Sequence, residues 1–320
     1  TVNSGAAITG QNVTITVDSA MGSSSTADGG GGGAISLGGA SGDADGANTT
    51  NVTVNTGARI EALGDLTVRN AMDSKVLSHG ESSRGGLYAS PDGGAHSQLS
   101  FGARTTIAGA LIAGGDASVL TEITTDSNAE GRAYGGGLGA DTNVDATANI
   151  AGIGGDGSVL TLANGADVQG NTVEIRSDIV KQKARAYTET VAGGAGGVAN
   201  ADSRTNVTSD NDVNLEDGSN IVGNESILIE ARYSETNNTS RARAALYAAF
   251  GKTDGDARTT TNNYAKVEGM WEARLTTARL DVDVVDYNRT LSASGVGTGV
   301  FIGPGFDNSD VNTTLDRDIF

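Results

Sequence analysis

The feature that most constrains this chain is a phrase that returns roughly every 53 residues: Gly-Ala-x-aliphatic, a short gap, then two aliphatic residues spaced by two. It reads Gly5, Ala6, Ile8, Val13, Ile15, then Gly57, Ala58, Ile60, Leu66, Val68, then Gly165, Ala166, Val168, Val173, Ile175, then Gly218, Ile221, Ile227, Ile229. A worn copy follows at Ala273, Leu275, Leu280 and Val282, and a poorer one at Gly102, Ala103 and Ile107. The repeat-core anchors are therefore Ile8, Ile60, Ile107, Val168, Ile221 and Leu275. A unit that cannot bury its own apolar face must stack on its neighbours, so about six such units predict a solenoid.

After each phrase comes a long arm with period-two alternation, the mark of an extended strand. Ala184, Ala186, Thr188, Thr190 and Ala192 alternate with Lys183, Arg185, Tyr187, Glu189 and Val191. A glycine stretch, Gly193-Gly194-Ala195-Gly196-Gly197, then leads into a second alternating run through Ala199, Ala201, Ser203, Thr205 and Val207. Both arms offer a face of small residues, which predicts a thin interior. The reading is an all-β parallel β-helix or β-solenoid of wide, flattened coils. The rival arrangement splits each unit into two smaller coils; the glycine turn near mid-unit favours the wide one. Handedness stays open. Ala242–Ala249 has helix-forming composition, but its flanks are poor helix context and its repeat partners alternate, so a strand is expected there.

Composition agrees. Glycine contributes 48 of 320 residues, about twice the ordinary share, and aromatics only 4%, which rules out a large jigsaw core. Alternating β-branched runs such as Asn12-Val13-Thr14-Ile15-Thr16-Val17 argue against disorder. With no cysteine, neither disulfides nor thiolate metal sites hold the fold. A net charge of -18 argues against nucleic acid as a partner, because no dense cationic stripe is available for counterion release. No run of 18 or more apolar residues offers a transmembrane helix. Thr1-Val2-Asn3-Ser4 lacks the features of a signal peptide, and the chain is expected to be a mature or excised piece of something longer. Residues 1–288 are assigned to the solenoid, and 289–320, with Gly299 to Phe306 at their centre, to a C-terminal cap, a linker or the start of a next module.

The segments Thr56-Gly57-Ala58-Arg59-Ile60 with Gly64-Asp65-Leu66-Thr67-Val68, and Asn164-Gly165-Ala166-Asp167-Val168 with Gly170-Asn171-Thr172-Val173-Glu174-Ile175, resemble the repeats of giant bacterial surface proteins, the filamentous-haemagglutinin-like β-strand-repeat adhesins. The resemblance covers most of residues 1–285. It implies a right-handed parallel β-helix, secreted to the cell surface, acting as a stalk, adhesin or fibre subunit whose partners are further repeat modules, copies of itself or a cell-surface glycan. The long small-residue arms depart from the family's commoner short coil.

Three kinds of chemistry compete with a purely structural role. Calcium is the one cofactor candidate: Asp43 with Asp45, Asp254 with Asp256, and Asp141 with Asp145 lie near glycine turns, where clustered oxygens suit a hard cation; the bland reading is a solvated turn. The glycine-rich calcium nonapeptide is not matched, since Val159 stands where Gly154-Gly155-Asp156-Gly157-Ser158 would need an aspartate to follow. A polysaccharide-active β-helix enzyme would need paired carboxylates in a groove. Asp281, Asp283 and Asp286 are the densest acids, but His79, His96 and Trp271 stand apart from them, so no catalysis is expected. Finally, Tyr88, Tyr134, Tyr187 and Tyr247 each precede a turn, three of them after Arg-x-Ala-like phrases. Stacked coils are expected to bring them into a surface ladder, serving as packing or as a lateral binding stripe. Thr259-Thr260-Thr261 hints at an ice-binding face, but the array is not regular from unit to unit.

Overall fold

A computed structural model describes residues 1–270, 272–299 and 305–319; Trp271, residues 300–304 and residue 320 lie outside the described residues. No helix occurs among the described residues, and the strands join in one parallel sheet. Ala242–Ala249 is strand, inside Thr236–Gly269. The alternation explains this: a helix would turn the small residues of that arm to all sides, whereas a strand turns them all inward.

The register pairs residues a whole repeat apart. Ile8 lies beside Ile60, Ile60 beside Leu111, Leu111 beside Val168, Val168 beside Ile221 and Ile221 beside Leu275. Each repeat is therefore one wide coil. The Val13–Val54 and Leu66–Ile107 strands are each 42 residues long, roughly 140 Å if straight, and they fold back at their glycine stretches. Within Asp167–Leu215, the Ser203 hydroxyl donates to the Ala186 carbonyl at 2.7 Å, which places the apex at Gly194-Ala195. Ser240 likewise donates to the Arg258 carbonyl across the next coil.

At the broad end of each coil a short strand such as Arg59–Ala62 bridges the two arms, and the aliphatic phrase supplies the core. Val54, Ile60, Val68, Ile107, Leu111, Val119, Val168 and Ile175 are all inaccessible to solvent. The Gly-Ala of the phrase is the corner leading into this region. Ala58 N donates to Asn55 O at 3.0 Å and Ala166 N to Ala163 O at 2.9 Å, while Gly57 and Gly165 take φ of 78° and 82°, the left-handed position that a side chain disfavours.

Two sequence expectations need correction here. Ile107 is core, but it stacks between Val54 and Leu162 at the end of the return arm, and Leu111 is the residue above Ile60. The cause is a shortened corner: six residues separate Val54 from Ile60 and Leu162 from Val168, but only four separate Ile107 from Leu111, and the Gly-Ala turn is lost there. Nor does the stack stop at 288. Arg289–Gly299 pairs with Thr236–Leu246, and Gly305–Ile319 with Thr253–Val267, in the same parallel sense.

The arms themselves enclose a thin, partly polar interior. Ala184, Ala186, Thr188, Thr190 and Ala192 are buried, as are Ala199, Ala201, Ser203, Thr205 and Val207 opposite them. A Cβ on Gly80 would overlap the Gly94 carbonyl of the facing arm, so the arms come closer than the ~10 Å of ordinary stacked sheets. Several of the buried hydroxyls find partners across the gap. Thr105 bonds Thr121 at 2.7 Å, Ser97 bonds Ser127 at 2.8 Å and Thr190 donates to Thr142 at 2.6 Å. Tyr233, the largest wholly buried side chain, satisfies its hydroxyl by donating to the Ser209 carbonyl at 2.7 Å; burial pushes that phenol far above its ordinary range.

Candidate functional site: stacked carboxylate columns

Stacking converts acids scattered along the chain into columns on the outer face. Asp145, Asp202 and Asp256 are register neighbours in successive coils. Beside them, two residues earlier on each strand, run Asp92, Asn143, Asn200 and Asp254. Together Asn143, Asp145, Asn200, Asp202, Asp254 and Asp256 line a shallow groove. The asparagines bond along the stack, with Asn200 Nδ2 donating to Asn143 Oδ1 at 2.8 Å and Asn143 Nδ2 to Asp92 Oδ1 at 3.4 Å.

Like charges stacked at about 4.8 Å repel, and basic groups beside the column offset this. His96 Nε2 lies 3.0 Å from Asp145, Arg204 Nε donates to Asp202 at 3.0 Å, and Lys252 Nζ lies 3.2 Å from Asp254. Burial pushes the Asp145 carboxyl above its ordinary range; His96 opposes that, while Asp202 and Asp43 add to it.

Asp43 with Asp45, and Asp254 with Asp256, stand two residues apart on one outer face of their coils, and Asp254 and Asp256 line the groove together, but the three pairs do not stack on one another. Asp43 and Asp45 pair in register with His96 and Gln98, Asp141 with Val198, and Asp254 with Asn200. Only Asp145 and Asp256 share a column, with Asp202 between them. Asp202 was not foreseen because it belongs to no Asp-x-Asp phrase, and only the register reveals it. Among the described residues no group of three or more His, Asp or Glu is arranged to hold a metal ion.

A second acidic cluster was also missed. Asp156 stacks on Asp210, and Asp212 lies two residues further along, next to Lys266 of the following coil. Arg104 holds Asp156 at 2.7 Å. One carboxylate oxygen of Asp212 is buried without a partner. Burial above all, with Asp210, Asp156 and Glu268 adding and Lys266 opposing, pushes its pKa up to about 6. The sequence signal was Gly154-Gly155, both at positive φ, which marks the loop that carries Asp156 outward.

The tyrosines do not form a ladder. Tyr134 is aligned with Ser83 and Val191, Tyr187 with Glu130 and Arg241, Tyr247 with Gly193, and Tyr88 with Ile35 and Gly139. Their spacing along the chain differs from the local repeat length, so each falls in its own column. Tyr134 instead donates to Glu189 at 3.3 Å. Asp281 and Asp283 share an outer face with Arg279 at 2.8 Å from Asp281, while Asp286 turns inward against Arg289 at 3.0 Å.

The remaining surface charges tie coils together. Arg69 reaches back to Asp18 at 2.9 Å and forward to Glu122 at 2.7 Å, and Arg176 reaches Glu122 from the other side at 3.3 Å. Arg232 likewise reaches back to Asp178 of the coil before at 2.7 Å, and is held on its own strand by Glu230 at 3.2 Å. Ser234 Oγ donates to Asp178 Oδ1 at 2.8 Å, on the carboxylate that Arg232 also holds.

Comparison with protein-family models, with curated proteins and with solved structures returned no match. The class is defined by the fold itself: an all-β solenoid of parallel coils. No helix among the described residues is long and apolar enough to cross a membrane.

Proposed function

We propose that this chain is a structural extracellular scaffold, a stalk or fibre-forming segment of a bacterial surface adhesin, without catalysis of its own. The observation that supports it best is the parallel register that links successive coils throughout the described residues, with like residues over like at the core columns. Such a body resists bending, because each coil is tied to the next by ladder bonds along nearly its whole length.

The dimensions favour assembly. An arm such as Leu66 to Gly85 extends roughly 65 Å, whereas each coil adds only about 4.8 Å of height. This segment is thus a blade, wider than it is tall, and length comes from adding coils. Among the described residues Val13–Val54 pairs with Leu66–Ile107 alone, and Gly305–Ile319 with Thr236–Gly269 alone, so these coils offer N–H and C=O groups on one side to a neighbouring module or copy.

Immunogold labelling of intact cells with an antibody to this chain tests the reading. Label outside the envelope, on projections or fibres, is expected. Label confined to the cytoplasm, or release of soluble sugar from polysaccharide by the purified chain, would overturn it.

A further inference from the structure

The narrow edge of the blade, where every coil reverses, differs from the rest of the surface. No charged residue lies between Asp28 and Asp43, Arg84 and Asp92, Arg132 and Asp141, Glu189 and Asp202, or Arg243 and Lys252. These five stretches are the successive apices. Their chain directions are superposed by register: Ile35 over Tyr88, Tyr88 over Gly139, Gly139 over Gly196, Gly196 over Phe250. A chain with charged groups at 19% of positions thus keeps one continuous uncharged strip, running along the stacking axis.

That strip carries the large apolar side chains that the interior is too thin to hold. Ile35, Leu87, Tyr88, Leu138, Tyr247 and Phe250 are between 43% and 70% exposed. Together they present on the order of 700 Å² to solvent, above the roughly 300–600 Å² of the largest patch on a typical monomer and close to the roughly 800 Å² that each partner contributes to a standard interface. Glycine keeps the strip close-packed: Cβ atoms on Gly86, Gly137 and Gly194 would overlap the carbonyls of Gly33, Gly86 and Gly137 in the coil before. The Gly193–Gly197 apex leaves a notch between Leu138 on one side and Tyr247 with Phe250 on the other. The rim is of mixed sign, with Arg132, Arg243 and Lys252 on the outer face beside Asp92, Asp141 and Glu189, while Arg84 turns inward and donates to the Gly38 carbonyl at 3.0 Å.

We propose that this edge is a homotypic docking surface, by which two copies of the chain meet edge to edge in a closed dimer. An apolar core with a polar rim is the anatomy of a protein interface. A mixed-sign rim complements itself when the partner is related by a two-fold axis. Meeting at the edge also keeps the acidic broad faces of two molecules, each of net charge -18, apart. An anionic lipid surface fits less well, because the rim is not a basic stripe. Lateral docking is distinct from end-to-end stacking of coils: it closes at two copies, whereas stacking is open-ended.

Sedimentation velocity over 1–100 μM, on the chain of residues 1–320 and on the variant carrying Leu87→Asp, Leu138→Asp and Phe250→Asp, tests this. These positions point to solvent, so the variant's β-sheet circular dichroism and melting temperature should match those of the parent. The parent should show a discrete dimer that the variant loses, with dissociation constant raised at least tenfold. A single Ile35→Asp variant serves as a weaker repeat should the triple variant fail to fold. A parent monomeric at 100 μM, a folded variant that dimerises equally well, an open ladder of higher species, or flotation of the parent with neutral phosphatidylcholine vesicles in place of dimerisation would each overturn the proposal.

Discussion

Gly137 sits over Gly86 so closely that a Cβ on the later residue would overlap the carbonyl oxygen of the earlier one. The neighbouring Gly136 stands over Gly85 with nothing within 4 Å of where its Cβ would be. Two adjacent glycines therefore have opposite tolerances. Gly137→Ala is expected to cost about 2 kcal/mol or more, through a backbone shift that propagates to Gly194. Gly136→Ala should stay within about 0.5 kcal/mol of the parent. Denaturant melts of both variants check the contrast.

Glu122 is shared between Arg69 and Arg176, one from the coil before and one from the coil after. Replacing it with Gln keeps the shape and removes the charge that both guanidiniums use. The three side chains keep between 18% and 38% of their surface exposed, so the loss should be at least about 1 kcal/mol and should shrink in 1 M salt. A loss that does not change with salt would mean that packing, not charge, is at stake.

Leu111 fills the column between Ile60 and Val168 and is inaccessible to solvent. Leu111→Ala should cost about 3 kcal/mol, because the stacked aliphatic column cannot collapse around the hole without breaking ladder bonds. Calorimetry on the variant reads this directly.

Asp212 gives a pH signature. Its folded-state pKa is raised from 3.8 to about 6, so the folded state binds the proton more tightly than the unfolded one. Stability is then greatest below pH 4 as far as this group is concerned, and falls as pH rises through the window from about 4 to 6. Asp212→Asn should raise the melting temperature at pH 7.5, by about 1 kcal/mol of stability after allowance for its partial exposure. It should also flatten the pH dependence across that window; an unchanged profile would place the dependence elsewhere, in Asp145 or Asp210, both also raised by burial.

Much of this was legible in the sequence. Period two in Ala184 to Ala192, and again in Ala199 to Val207, translates directly into buried faces, because in a strand side-chain direction depends on parity alone. The glycine stretch marked the apex for the same local reason. What sequence did not yield was register. A corner shortened by two residues moved the match of Ile60 from Ile107 to Leu111, and the bulge that sets Ile179-Val180-Lys181 against Ile123-Thr124 shifted the coil again. Residues on an outer face gain their neighbours in other coils only through register, so the tyrosine ladder, read from linear spacing, dispersed, and the aspartate pairs fell into different columns. The Asp145–Asp202–Asp256 column and the stacked apical glycines became visible only once coils were laid on one another.

The central claim is that residues one coil apart lie side by side. The chain has no cysteine, so engineered pairs report on a clean background. Asn149 and Asn206 are register neighbours joined by a 3.0 Å hydrogen bond, and a parallel neighbour falls within the Cα separation a disulfide accepts, roughly 4.4–6.8 Å. Under mild oxidation Asn149→Cys with Asn206→Cys should close an intramolecular disulfide, found by peptide mapping. Asn149→Cys with Asn200→Cys, six residues out of register and about 20 Å away, should stay reduced. Equal closure of both pairs, or closure of the second alone, would contradict the stacked-coil account.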